Sequence, residues 1–438
     1  MPRKSPSKPT EKSSAARHPG PQSKSKQATP PTSDQPMFGQ PTPSPDPTKF
    51  VVPHPSDNQE YKRVNSHLLQ SVPAPRGGAV EPTLSLSDAL GKPGPSTIRK
   101  LQAAKQVVFH CVGDTGSVRG PATQSLVADK MVADFTEANP ASVPSFFYHL
   151  GDVVYSFGEA RYYYDQFYEP YREYPAPIFA IPGNHDGLVF NGDREQTLEA
   201  YLSNFCADAP VHTSEAGALM RTAMTEPGVY YTFEAPFVRI LGVYSNVLED
   251  PGVISSEGNT SSPVGNEQLD FLTAGLKRAK SDIAAGNFTG AVLVAVHHPP
   301  YTYGGVHSGS PRMLTDLDQA SKSAGFWPHA YLSGHAHNYQ RFTRTVGQFQ
   351  IPYIVVGSGG HNITPLRSGS AGAIRTPTTV TDTLTFENYD DLHYGYLRIT
   401  VTTEVLKIEF HPAEDGSSEK TPDDRVAIDL NTRKLVTV

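Results

Sequence analysis

Phe146-Phe147-Tyr148-His149-Leu150-Gly151-Asp152-Val153-Val154-Tyr155 is the stretch on which the fold turns. Its first half is a short, mostly apolar run closed by glycine, which reads as a buried strand. The glycine lets the backbone turn sharply and leaves an acid at the strand end. An apolar run ending in polar residues recurs four times, three of them with the glycine. Val107-Val108-Phe109-His110-Cys111-Val112 runs into Gly113-Asp114-Thr115-Gly116. Ile178-Phe179-Ala180-Ile181 closes at Pro182 and runs into Gly183-Asn184-His185-Asp186. Val294-Ala295-Val296 runs into His297-His298-Pro299-Pro300, and Tyr331-Leu332-Ser333 into Gly334-His335-Ala336-His337. Ligands of open α/β sheets bind beyond the carboxyl ends of the strands. Five such ends would therefore bring hard oxygen donors and imidazoles to one place.

Taken singly, each cluster has an ordinary explanation. Gly-Asp after a strand is usually a turn or a helix cap, and His-Pro-Pro reads as a loop. Gly-His-Ala-His is the sharpest signal, since histidines at i and i+2 with a small residue between them aim two imidazoles at one point. Independent turns have no reason to collect metal-binding side chains at five strand ends in succession.

Working outward, Val127, Met131 and Phe135 recur at four-residue spacing, as on one face of a helix. Further strands are predicted at Val238–Val243, Ala291–Val296, Ala330–Leu332 and Tyr353–Val356, with helices over Glu195–Phe205 and Glu267–Ala285. Tyr394–Val401 and Val405–Phe410 alternate like a hairpin. The reading is α/β with an antiparallel closing portion.

The flanks differ in composition. Residues 1–65 are rich in Pro, Ser, Lys and Thr and too poor in apolar surface to offset the entropy of ordering them. They are read as a disordered basic extension. The basic residues open a second reading, a contact with nucleic acid or an anionic surface, but no aromatics are interleaved for base stacking. Residues 66–105 are read as a transitional linker, in which Leu84, Leu86 and Leu90 form a short element broken by Gly91, Pro93, Gly94 and Pro95. The folded domain is placed at 106–412 and a C-terminal extension at 413–438. Cys111 and Cys206 are the only cysteines of 438 residues, which excludes a disulfide framework or a cysteine zinc site. No apolar run reaches the ~20 residues of a membrane span. The basic start lacks the apolar segment of a secretory signal, so the localisation expected is cytoplasmic.

The series Asp114-x-Gly116, Gly151-Asp152-x-x-Tyr155, Gly183-Asn184-His185-Asp186, Val294-x-x-His297 and Gly334-His335-x-His337 resembles the calcineurin-like metallophosphoesterases, and among them the purple acid phosphatase branch. Two features point to the branch. Gly116 stands where most of the superfamily has a histidine, and Tyr155 stands where the purple enzymes supply a tyrosinate. Asp186 departs from the glutamate of many purple enzymes. Tyr353–Gly360 and Tyr394–Arg398 are also similar to the family's closing segments. The resemblance implies a four-layer α/β/β/α sandwich of two mixed β-sheets flanked by helices. It implies one metal held by Asp114, Asp152, Tyr155 and His337, and a second by Asp152, Asn184, His297 and His335, with Asp152 bridging. Carboxylate and phenolate suit Fe(III); the Asn/His/His set suits Fe(II), Zn or Mn. The implied reaction is hydrolysis of a phosphate monoester by a metal-bound hydroxide. His185 is expected to contact phosphate or protonate the leaving group, and His307 to face substrate. His298 is expected to turn away, and Arg341 to be structural. The alternatives are a metal-dependent phosphodiesterase, which would use the same clamp, and a non-catalytic phosphate- or partner-binding relative.

Overall fold

The computed structural model describes residues 72–117, 120–189, 195–245, 252–255, 264–304, 307–366, 374–413 and 422–437. In chain order it begins with β1 (Thr83–Ser85), α1 (Leu86–Leu90) and α2 (Gly94–Ala104). The predicted runs follow as β2 (Gln106–Val112), α3 (Ala122–Ala133), β3 (Phe147–His149) and β4 (Ile178–Ala180). A short turn of helix, α4 (Asn184–Gly187), and α5 (Glu199–Phe205) lead to β5 (Tyr231–Ala235) and β6 (Val238–Val243). Then come α6 (Glu267–Ala284), β7 (Ala291–Val296), α7 (Pro311–Ala324) and β8 (Ala330–Ser333). The remaining strands are β9 (Tyr339–Val346), β10 (Phe349–Val356), β11 (Thr378–Thr381), β12 (Leu384–Asp390), β13 (Gly395–Thr402), β14 (Val405–Pro412), β15 (Asp424–Asp429) and β16 (Lys434–Val436), which pair antiparallel except where β10 meets β8.

The strands make two mixed sheets flanked by helices, as the resemblance implied. One has nine strands in the order β1-β5-β6-β7-β8-β10-β9-β12-β11. The other has seven, β16-β15-β14-β13-β2-β3-β4. Parallel pairing is confined to the runs that carry the polar clusters and their neighbours, β2-β3-β4 in one sheet and β6-β7-β8-β10 in the other, with β1 parallel to β5 at the edge. Parallel strands are buried on both faces, and every residue of β7 is buried. Register sets the site. Val112, His149 and Ala180 lie side by side, so the turns bearing Asp114, Asp152 and Asn184 leave their sheet together. Ala295 lies beside Leu332, which does the same for His297 and His335.

The sheets pack through aromatic residues. Phe179 of β4 lies 4.3 Å from Phe233 of β5, and Tyr339 of β9 stacks on Phe410 of β14 at 4.2 Å. α6 and α7 pack on each other outside the nine-stranded sheet, and α2 and α3 lie on β2 and β13 of the other. Val127 and Met131 face inward from α3 as their spacing required. Phe135 follows in a 3-10 turn, Asp134–Thr136.

The flanking segments depart from the reading. Residues 72–104, set apart as linker, supply an edge strand and two helices. β1 pairs with β5 from Thr83 opposite Thr232 to Ser85 opposite Glu234. Pro95 does not break structure; it sits in the first turn of α2, where its missing N–H costs nothing. The segment after 413 supplies β15 and β16, and Arg341 of β9 grips Asp424 of β15 through Nε and Nη2 at 2.7 and 3.0 Å. That pairing gives Arg341 the structural place expected of it. The predicted helix from Glu195 begins at Glu199. Residues 1–65 lie outside the described residues.

Candidate metal centre

Three of the seven predicted metal donors, one each beyond β2, β3 and β8, have left-handed backbone. Asp114 and Asp152 have φ of 58° and 54°, and His335, beyond β8, has 66°. The left-handed region costs a residue with a Cβ about 1–2 kcal/mol, and such strain gathers at functional sites. Glycine is required beside them. A Cβ on Gly183 would strike the Asp152 carboxylate, and one on Gly334 would come within 2.5 Å of Asp114 Oδ2.

All seven donors converge, in two groups. Tyr155 donates its hydroxyl to Asp152 Oδ2 at 2.8 Å and lies 3.0 Å from Asp114 Oδ1. His337 Nε2 stands 3.3 Å from that hydroxyl and 3.5 Å from Asp114 Oδ1. In the second group, Asn184 Oδ1 lies 3.1 Å from both His297 Nε2 and His335 Nδ1. Asp152 belongs to both, with Oδ2 3.3 Å from His297 Nε2. Asp152, His297 and His335 each place one ligand atom within 4.8 Å of the others.

Supporting bonds orient the donors. His297 Nδ1 bonds the Leu150 carbonyl at 2.8 Å, which assigns the proton to Nδ1 and turns the Nε2 lone pair inward. Asp152 Oδ1 accepts the His185 backbone N–H, leaving Oδ2 for the centre. The Asp186 carboxylate accepts N–H groups from Val153, Val154 and Gly183, tying the Asp152 turn to the Asn184 turn. Burial and the Asp152 charge push the Asp186 carboxyl up to about 7, against the bonds from Gly183 and Val153.

The chemistry of the donor set fits cations. Asp114 and Asp152 are almost wholly buried, and among the described residues their ion-pair partners are histidines. Buried carboxylates without compensation are costly. Burial would lift Asp152, but His297 and His185 hold it below the usual carboxylate range. Burial would lower His297, yet Asp152 and Asp114 raise it to about 9. His335 is pushed well down, by burial and by His298, His307, His297 and His337 around it. Tyr155 is pushed well above its ordinary value by burial and by the two carboxylates. A phenol so placed ionises only when a strong cation replaces its proton.

The predicted catalytic residues lie at the rim. His185 Nδ1 bonds the Ser156 carbonyl at 2.9 Å, and Nε2 stands 3.9 Å from Asp152 Oδ2. The His307 ring lies 4.3 Å from that of His335 and 5.1 Å from that of His337. His298 does not turn away. Ser245 bonds its backbone N–H and its Nδ1, at 2.9 and 3.0 Å, and sets its ring 4.1 Å from His335. The chain leaves β7 in a bend there, so neighbouring residues need not point oppositely. His361 was not foreseen. It stacks on Tyr155 at 3.7 Å and 11°, and its ring is 4.7 Å from that of His337. The signal for it was present, since β10 too ends in a glycine-rich turn, Gly357-Ser358-Gly359-Gly360, running into a histidine.

Solved structures similar to this chain include a purple acid phosphatase from seeds of yellow lupin (Lupinus luteus), 16% identical with a TM-score of 0.49, matching 75% of this chain and 55% of that one. The chain thus spans little more than half of that enzyme. Others are GAP50, the anchor in the inner membrane complex of Plasmodium (15% identity, TM-score 0.47, 72% of this chain and 89% of that one), and PhoD (14%, 0.44, 76% and 72%). No curated protein sequence matches. Among the described residues no helix is long and apolar enough to cross a membrane. The Calcineurin-like phosphoesterase family model matches residues 108–339, more than half of the chain. That span runs from β2 to the first residue of β9 and encloses every donor of the two groups, and the chain belongs to the calcineurin-like phosphoesterase family.

Proposed function

We propose that the chain is a dinuclear-metal phosphatase of the purple acid type, hydrolysing phosphate monoesters. The observation that carries this is the Tyr155 hydroxyl within 3.0 Å of both Asp114 and Asp152, with His337 Nε2 at 3.3 Å. Two carboxylates, a phenol and one imidazole suit Fe(III); Asn184, His297 and His335 beside Asp152 suit Fe(II), Zn or Mn. Two such ions, when bound, would clamp a phosphoryl group and acidify a water.

The chain's own residues supply the rest. Asp152 stands between the groups and fixes their spacing. Asp186 holds the Asp152 and Asn184 turns together through backbone N–H groups, so the donors are set before substrate arrives. His185, with Nδ1–H given to Ser156, presents Nε2 to the site, where it would carry the proton that the departing alkoxide needs. His307, against His335 and His337, would meet the phosphate oxygens. The basic extension and any partner it binds play no part in this reading.

The test is the ratio of kcat/KM for p-nitrophenyl phosphate and bis-p-nitrophenyl phosphate on iron- and zinc-loaded protein. Preference for the monoester is expected. A strong preference for the diester would make the chain a phosphodiesterase, and no turnover of either would favour a binding protein.

A further inference from the structure

The hydroxyl oxygen of a tyrosine lies on the axis of its ring rotation. Turning the ring therefore leaves the oxygen in place but swings its in-plane lone pairs. Those lone pairs meet a donor or a cation, while the out-of-plane electrons govern charge transfer. The plane of the Tyr155 ring thus sets how its oxygen bonds, and two residues hold that plane or the backbone beneath it. Gln166 accepts the Tyr155 N–H at 2.8 Å and donates to the Tyr155 carbonyl at 2.6 Å. The His361 ring lies on the phenol at 3.7 Å with 11° between planes. That imidazole is itself fixed, by Nδ1 on the Gly116 carbonyl at 3.0 Å and by its backbone N–H on the Asp114 carbonyl at 2.9 Å. Gly116 serves both holders. Its carbonyl anchors His361, and a Cβ on it would strike the Gln166 side-chain oxygen.

We propose that His361 is a positioning residue for Tyr155, holding the phenol plane so that the hydroxyl presents its in-plane lone pairs to the space between Asp114, Asp152 and His337. This rests on the reading of Tyr155 as a metal donor. His361 is buried and joins the segment after β10 to a donor that follows β3, so it links the nine-stranded sheet to a ligand carried by the other.

The experiment uses the full chain loaded with iron and zinc, and reads the visible tyrosinate band and the affinity for the more tightly held metal. His361→Ala should shift the band and weaken that affinity about tenfold or more, as loss of a ligand's support does. His361→Phe keeps a flat ring on the phenol and should leave both close to the parent. In a Tyr155→Phe background, His361→Ala should change the affinity no further, because no oxygen remains to be aimed. An unshifted band and unchanged affinity in His361→Ala would overturn the proposal. So would an equal loss in His361→Phe, or an undiminished effect in the Tyr155→Phe background. A parent chain that binds metal without a tyrosinate band would instead overturn the donor reading of Tyr155, and the proposal with it.

Discussion

Arg278 grips Glu81 at two points, Nε to Oε2 and Nη2 to Oε1, each at 2.7 Å. Glu81 also accepts the Thr232 hydroxyl at 2.8 Å. These bonds fasten the segment before β1 to α6 and β5. Glu81→Ala should therefore lower stability by about 2 kcal/mol, the scale of losing charge-assisted hydrogen bonds. Urea unfolding of the two chains measures it. A midpoint equal to that of the parent would mean that the segment docks by packing alone.

The two donor groups predict an unequal response to mutation. His337→Ala should cost one metal per chain and Asn184→Ala the other. Asp152→Ala should cost both, because its carboxylate faces Tyr155 and His297 together. Elemental analysis of the purified variants decides, and two metals retained in Asp152→Ala would refute the bridging role.

His185→Ala should keep both metals and lower kcat on an alkyl phosphate about a hundredfold, a common size for loss of a general acid. With p-nitrophenyl phosphate, whose leaving group needs no proton, the loss should be much smaller. Equal losses on the two substrates would remove His185 as the proton donor.

His411 makes a separate statement about acid. The residue is 3% exposed, its ring is stacked beside Tyr396, and among the described residues neither ring nitrogen has a hydrogen-bond partner. Burial lowers it from 6.5 to about 4, although Asp134 and Glu409 pull the other way. A histidine lowered by folding contributes stability that is whole above its unfolded value and lost as pH falls toward the folded one. Between pH 6.5 and about 4 the chain should lose on the order of 3 kcal/mol from this residue. In His411→Phe the unfolding free energy should fall less steeply over that window. An unchanged slope would show that other groups govern acid stability.

Most of the proposed donors were legible through one local rule, a buried run, a glycine and a polar residue at the strand end, while His297 follows its run with no glycine between. Gly116 and Tyr155 were legible only as a pair of departures from the wider family. Their physical link, through Gln166, lies in no motif, since Gln166 sits within a π-helical turn, Tyr164–Tyr168. The edges of the sheets were illegible for a different reason. β1 and β16 have three residues each, too few to show a period, and they are defined by partners elsewhere in the chain. β9 and β12 mix Thr, Arg, Gln and Asn with aromatics, so pairing and not composition makes them strands. His361 followed the same strand-end rule as the donors, but β10 had been read only as far as Gly360.

The order of the seven-stranded sheet has a consequence for how the chain is made. β2, which carries Asp114, lies between β3 and β13. During synthesis β13 emerges after every strand that bears a donor. Until then β2 presents an unpaired edge, and such an edge can pair wrongly or with another chain. The proposed centre is therefore completed late, by a stretch that contributes none of its proposed donors, and a nascent chain with all of those side chains already made would still lack a settled arrangement of them.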